Sequence, residues 1–131
     1  MNVKDIINIL NDNGLSEVEE LVAADKYSLI NFYFDFDKDV EAAAKAYADD
    51  ESTAGSEEWM NEFYLPYLYD YANDVLEIVE EIIEDLDVEG EMMAFQMNEK
   101  TAGYVQFMVL FNEEGCDVAI EEVVKEYMNK K

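Results

Sequence analysis

The charge imbalance of this chain constrains its fold more than any other feature. Asp and Glu number 33 against eight basic residues, every one of them Lys, and there is no His, so the formal net charge is −25. A compact state with that charge repels itself, so folding depends on apolar burial. Half of the 131 residues are hydrophobic and 13% are aromatic, which is enough to offset chain entropy. The length suits one core, and we expect a single acidic domain over 1–131.

The same charge restricts the partners of the chain. Direct nucleic-acid binding needs clustered Lys or Arg to neutralise phosphates, and anionic membranes repel an acidic protein for the same reason. Cys116 has no second Cys with which to form a disulfide, a pattern typical of intracellular proteins. The start of the chain has no signal-peptide cleavage site, and no apolar run approaches the roughly 18 residues of a membrane span. We therefore expect an unprocessed cytoplasmic protein that binds neither nucleic acid nor membranes.

Apolar periodicity and turn residues divide the chain into helices and strands. The first predicted elements are a helix over about 2–13, a short helix from Ser16 and a strand over 27–36. A helix capped by Asp37 or Asp39 follows and ends at the linker 49–56; a helical stretch then runs from Ser56 to about Tyr64, and a long helix, fresh or kinked at Pro66, runs from there to about Leu86. Hairpin strands over 91–98 and 103–111 and a last helix over about 117–129 complete the chain. The order is ααβααββα. A three-stranded, mainly antiparallel sheet packed with helices makes this an α+β domain.

The short second helix is predicted from a helix-start signal. Ser16 is followed three residues later by Glu19, which is the pattern of a capping box. Val18, Leu21 and Val22 then supply a buried side at helical spacing.

The hairpin segments are apolar on both faces. We predict that one face carries Met93, Phe95, Met97, Val105, Phe107, Val109 and Phe111, and that the opposite face carries Met92, Tyr104, Met108 and Leu110. The first set packs against the helices in this scheme. The second set is a candidate dimer surface, so the sequence is compatible with a monomer or a homodimer.

Acidic residues are concentrated in the segment 46–99. It holds 17 of them in 54 positions with no Lys, whereas 16 acidic residues share the other 77 positions with all eight Lys. On the predicted long helix the carboxylates fall within an arc of roughly 100°, opposite an apolar side. The candidate partner-binding residues are Asp70, Asp74, Glu77, Glu81, Glu84 and Asp85, with the neighbouring Glu80.

This predicted stripe of carboxylates has two interpretations. Acidic outer faces are ordinary, so it can be a solvated helix surface. A face built for solubility would however interleave Lys, because like charges at i,i+3 and i,i+4 destabilise a helix. Carboxylates stepped at 3–4 residues lie about 5 Å apart along the axis, which is the same order as the separation of successive phosphates on a nucleic-acid strand, whose axial rise is about 3.4 Å. Such a stripe fits a protein groove that is built for a phosphate backbone.

In charge, size and low Lys content the whole chain resembles the phage-encoded acidic DNA mimics that inhibit restriction or CRISPR enzymes, and the acidic antidotes to basic nucleases. No family motif accompanies this resemblance. It implies an inhibitor of a basic, nucleic-acid-binding protein. The alternative is a generic acidic interaction or scaffold module with no nucleic-acid-related target. Adaptation to molar salt is a further alternative, against which the abundance of Ile, Phe and Tyr and the lack of Arg argue.

Asp35, Asp37 and Asp39 are spaced like the first ligands of an EF-hand calcium loop. Val40 stands where that loop needs Gly, and Ala46 stands where it needs a bidentate Glu. Helix capping at a strand end explains the three Asp better, and we expect neither a metal site nor a cofactor.

An aromatic run follows, formed by Trp59, Phe63, Tyr64, Tyr67, Tyr69 and Tyr71. It suits either a core at a helix junction or a recognition surface. Without His, Arg or a Gly-rich phosphate loop, no spacing singles out catalytic residues, and no His or Arg is present to activate Cys116. We expect that the protein is not an enzyme.

Overall fold

A computed structural model describes residues 1–95 and 103–130. In chain order its elements are α1 (Val3–Asp12), β1 (Ser16–Ala23), β2 (Tyr27–Asp35), α2 (Lys38–Glu51), a π-helical segment (Trp59–Tyr64), α3 (Leu65–Ala72), α4 (Asp74–Leu86), β3 (Glu89–Ala94), β4 (Tyr104–Asn112) and α5 (Ile120–Asn129). None of the helices within these described residues is long and apolar enough to cross a membrane.

The strands form one four-stranded antiparallel sheet in the order β1-β2-β4-β3. The α+β class is confirmed, but the prediction of three strands is wrong because Ser16–Ala23 is an edge strand and not a helix. Val18 packs with the main core, whereas Leu21 and Val22 pack with a second cluster on the other face of the sheet. A helix would have put all three on one side. The Ser16 hydroxyl donates to Asp35 Oδ2 at 2.5 Å instead of capping a helix.

The sheet has an apolar cluster on each face. The main core lies between one face and α1 to α4, and a smaller cluster lies between the other face and α5. Strand β2 contributes to both, with Ile30 and Phe32 in the main core and Leu29 in the second cluster. Both faces of this strand are therefore covered.

The two hairpin strands are confirmed, but the predicted facing of β3 is wrong. Met92 pairs with Val109 and lies on the main-core side, while Met93 pairs with Met108 and lies on the α5 side. Phe95 also packs in the second cluster. Because side chains alternate along a strand, a register shift of one residue exchanges the two faces. The turn and Met97 lie outside the described residues.

The surface proposed for a homodimer is in large part covered within the chain. Helix α5 packs over this face of β4, where Met108 and Leu110 are only 2% and 0% exposed. Tyr104, farther along the strand, stays exposed. The apolar residues of this face are therefore explained by a helix of the same molecule.

The chain stays helical through Pro66 and breaks later, at Asn73. The Leu65 N–H donates to the Met60 carbonyl, five residues back, at the end of the π-helical segment. Pro66 then falls in the first turn of α3, where its missing N–H leaves no donor unpaired. A helix boundary at Tyr64 is confirmed, but a single helix from there to Leu86 is wrong, since α3 ends at Ala72 and α4 begins at Asp74.

Candidate acidic interface

Helix α4 is held in place by a continuous apolar side. Val75, Val79 and Ile82 are buried in the main core. Their spacing of four and three residues places them on one face of the helix. The helix ends at Asp87, whose left-handed backbone (φ 53°) turns the chain into β3, and the Val88 N–H donates to the Ile83 carbonyl at 3.2 Å. The opposite face of α4 is thereby directed to solvent.

All seven predicted partner-binding carboxylates are exposed in the structure. Six belong to α4, whereas Asp70 lies on α3, beyond the break at Asn73. The stripe is therefore defined here as the α4 residues Asp74, Glu77, Glu80, Glu81, Glu84 and Asp85. From Asp74 to Asp85 the stripe extends about 16 Å along the helix axis, at 1.5 Å per residue.

The stripe carries charge that the chain itself does not neutralise. Among residues 1–95 and 103–130, the ion pairs within 4 Å are the Met1 amino group with Glu113 at 3.3 Å and Lys130 with Glu126 at 3.8 Å. Neither involves α4. Six like charges on three turns of helix repel one another without an intramolecular counterion.

The C-terminal half of α4 is acidic where a helix favours cations. Glu84, Asp85 and Asp87 surround the last turn, and no basic residue is present there. The macrodipole makes anions unfavourable at this end, typically by about 0.3–1 kcal/mol each at exposed sites. Asp74 and Glu77 in the first turn have the favourable sign. Helix stability therefore accounts for the first two carboxylates and not for the last ones.

Two large exposed side chains lie within three residues of Asp74 along the chain. Leu76 of α4 is 45% exposed, and Tyr71 of α3 is 43% exposed, with its ring against Phe34 at a centroid distance of 6.0 Å. Exposed aromatic and aliphatic side chains beside a charged surface are suited to supply contact area to a partner.

The aromatic run divides between core and surface. Trp59 is buried, stacks on Tyr64 with centroids 4.9 Å apart, and donates from Nε1 to Asp49 at 2.9 Å. Burial raises the pKa of Tyr64, and the nearby charge of Glu41 raises it further. In this run the side chains of Phe63, Tyr67 and Tyr69 are partly buried.

The three Asp at the end of β2 and the start of α2 have separate structural surroundings. Asp37 caps α2, its Oδ1 accepting from the Val40 N–H at 2.8 Å, and Asp35 accepts from Ser16. All three are exposed. Across the described residues, no three His, Cys, Asp or Glu side chains are grouped to hold a metal ion.

One cavity has no counterpart in the sequence predictions. It measures about 360 Å³ and lies between β1, β2 and α5, lined by Leu21, Val22, Tyr27, Val123, Glu126, Tyr127 and Lys130. Sequence reasoning missed it because one wall is β1, which was predicted as a helix. The sequence also did not predict that β3 is an edge strand, because the order of strands in a sheet cannot be predicted from local residue patterns.

Comparison with models of protein families, with curated proteins and with solved structures finds no match to this chain.

Proposed function

We propose that this protein inhibits a basic, nucleic-acid-binding protein, such as a nuclease or a restriction or CRISPR effector, by presenting the α4 stripe in place of nucleic-acid phosphates. The single observation that carries the proposal is the unneutralised stripe: six exposed carboxylates on one helix, with no basic side chain paired to them in the described part of the chain. A purely solvated face has no reason to retain that repulsion.

The spacing of the stripe supports phosphate mimicry. Asp74, Glu77, Glu81 and Glu84 follow one another at three, four and three residues. Each step advances about 5 Å along the axis, the same order as the separation between phosphates along a strand. Lys and Arg side chains that line a phosphate groove are long enough to adjust to the difference.

The charge and the apolar neighbours of the stripe have different roles in this proposal. Opposite charge speeds encounter and orients the partners, while contacts that exclude water determine how long the complex lasts. Tyr71 and Leu76 supply the second kind of contact. Because the stripe occupies the nucleic-acid groove, the two ligands exclude each other.

Competition tests the proposal. The probes are three basic proteins, namely a restriction endonuclease, a CRISPR effector nuclease and a ribonuclease, each loaded with fluorescein-labelled nucleic acid. The protein should displace the label from at least one, with an affinity that falls steeply as salt screens the charges. A ternary complex of target, nucleic acid and this protein would show that the mechanism is not mimicry and would favour the scaffold alternative.

A further inference from the structure

Strand β3 is an edge strand, and within residues 1–95 and 103–130 no strand pairs with its outer side. It is the last strand of the sheet order β1-β2-β4-β3. The Phe95 N–H donates to the Gln106 carbonyl at 2.9 Å, and hydrogen-bonded pairs alternate along an antiparallel ladder. The amide groups of Glu89, Glu91 and Met93 therefore face β4, and those of Gly90, Met92 and Ala94 point outward.

The two edges of the sheet differ in how well they are protected from pairing. Strand β1 is interrupted by two register shifts, and Glu17 has a left-handed backbone (φ 50°). Bulges of this kind protect an edge from further pairing. Strand β3 pairs with β4 in continuous register from Glu89 to Ala94. The β3 edge thus has the regular backbone that a further strand requires.

The side chains along β3 differ between its two faces. Gly90, Met92 and Ala94 lie on the α4 side, where Ile83 packs on Gly90. Glu89 and Glu91 lie on the α5 side and are exposed. The partly buried Met93 also lies on the α5 side. A strand added at this edge therefore meets apolar groups on one face, and two carboxylates and Met93 on the other.

Both carboxylates on the α5 side are held in position. Glu89 Oε2 accepts from Asn112 Nδ2 at 3.2 Å. Glu91 Oε2 accepts from the Ile120 N–H at 3.4 Å, at the start of α5. Because one oxygen of each carboxylate accepts a hydrogen bond within the chain, the position of the carboxylate is fixed for a cation on an opposing strand.

Helix α4 adds negative charge on the other side of the same edge. At 100° per residue Glu80 lies between Ile83, which contacts β3, and Glu84 on the stripe. The exposed Leu76 is on the same side as Ile83, about 20° away. The β3 edge is therefore flanked by charge of one sign on both faces.

We infer that the β3 edge binds an extended basic segment of the partner, which adds as a fifth, antiparallel strand. Its Lys or Arg side chains oppose Glu89 and Glu91, and its apolar side chains lie over Met92 and Ala94. Backbone hydrogen bonds supply affinity and the alternating side chains supply specificity. The inference rests on the proposed function in one respect, that the partner is basic. A second copy of this chain is disfavoured, since like charges opposite each other destabilise a strand pair.

A capped peptide of alternating Lys and Val is the probe. With its Lys residues opposite Glu89 and Glu91, its Val residues form the hydrogen-bonded pairs with Gly90, Met92 and Ala94. N-methylation of the Val residues removes the N–H groups that face β3. N-methylation of the same number of Lys residues, at identical charge, removes only outward N–H groups.

Calorimetry with the full chain should show binding that Val methylation weakens about tenfold or more and Lys methylation leaves nearly unchanged. The amide resonances of Gly90, Met92 and Ala94 should shift on binding and exchange more slowly with solvent. Equal affinity of the two methylated peptides, no binding at low salt, or shifts confined to α4 would overturn the inference. So would a dimer mass by light scattering together with slow exchange of the Gly90, Met92 and Ala94 amides in the free chain. Displacement of nucleic acid is read separately, so failure of the edge leaves the proposed function standing.

Discussion

Ile83 of α4 packs directly onto Gly90 of β3. A β-carbon at Gly90 would lie 3.0 Å from Ile83 Cδ1 and 3.3 Å from its Cγ1. This contact sets how closely the acidic helix approaches the edge strand. Gly90 therefore lies where the acidic helix α4 packs against the edge strand β3.

Gly90→Ala should destabilise the fold by about 1 kcal/mol, because the added methyl forces the packed Ile83 side chain to move. Chemical denaturation measures the effect. In an Ile83→Val background, which removes the crowding methyl, the same Ala substitution should cost less. Equal costs in both backgrounds would show that the two residues are not coupled. Gly103→Ala is the control, since the nearest atom to its added β-carbon is 3.6 Å away.

Neutralising the C-terminal end of the stripe should stabilise the fold. Glu81→Gln, Glu84→Gln and Asp85→Asn together remove like-charge repulsion and unfavourable dipole interactions worth about 1 kcal/mol in sum. The melting temperature at low salt should hold or rise, and the gain should shrink in high salt. A marked loss of stability would mean that these carboxylates make structural hydrogen bonds, and the stripe would lose its standing as a binding site.

The position of the charge should matter for binding as well as its amount. Reversal of Asp74, Glu77, Glu81 and Glu84 to Lys should abolish displacement of nucleic acid from the target. Reversal of four other acids, Asp12, Asp25, Glu114 and Asp117, should have a much smaller effect. All eight are exposed, and each set changes the net charge equally. Similar losses from the two sets would show that bulk charge is sufficient.

Tyr64 should make stability fall at alkaline pH. Its pKa is raised in the folded state by burial, with the charge of Glu41 as the second cause. The folded state therefore binds the phenolic proton more tightly than the unfolded state does. The resulting stability is fully present below about pH 10, the unfolded pKa, and is lost as pH rises through the folded value.

Thermal melts between pH 8 and pH 11 compare the native chain with Tyr64→Phe. The variant should lose less stability over the upper part of this range, near and above the tyrosine pKa of about 10. Tyr47→Phe, at a ring that is 43% exposed, serves as the matched control and should leave the native slope in place. Identical slopes for the native chain and Tyr64→Phe would rule out this contribution.

Asp37 should act through the α2 cap and not through metal binding. Asp37→Ala removes the acceptor of the Val40 N–H and should cost about 1 kcal/mol, whereas Asp37→Asn should cost less because Asn also caps helices well. Dialysis against a chelator should leave the melting temperature unchanged. Unfolding on metal removal, or a stoichiometric metal at submicromolar affinity, would reverse this interpretation of Asp35, Asp37 and Asp39.

Local residue patterns were sufficient to predict the elements in which apolar and polar side chains lie on distinct faces. The aromatic strand at 27–36, the two hairpin strands and the two sides of α4 were all predicted from side-chain periodicity, because each contains its own repeat. The exposure of the six α4 carboxylates follows from the repeat of that helix. Their role as a binding surface stays a prediction.

Residue patterns along the chain are thus enough to show which stretches have an apolar side and where the negative charge is concentrated. Other features depend on packing between elements that are distant in sequence. Val18, Leu21 and Val22 fit a helix by spacing, and only pairing with β2 and burial on two opposite faces make Ser16–Ala23 a strand. The facing of Met92 and Met93 likewise depends on register with β4. Such choices are decided by contacts between distant parts of the chain, whose free energies are absent from any local window of sequence.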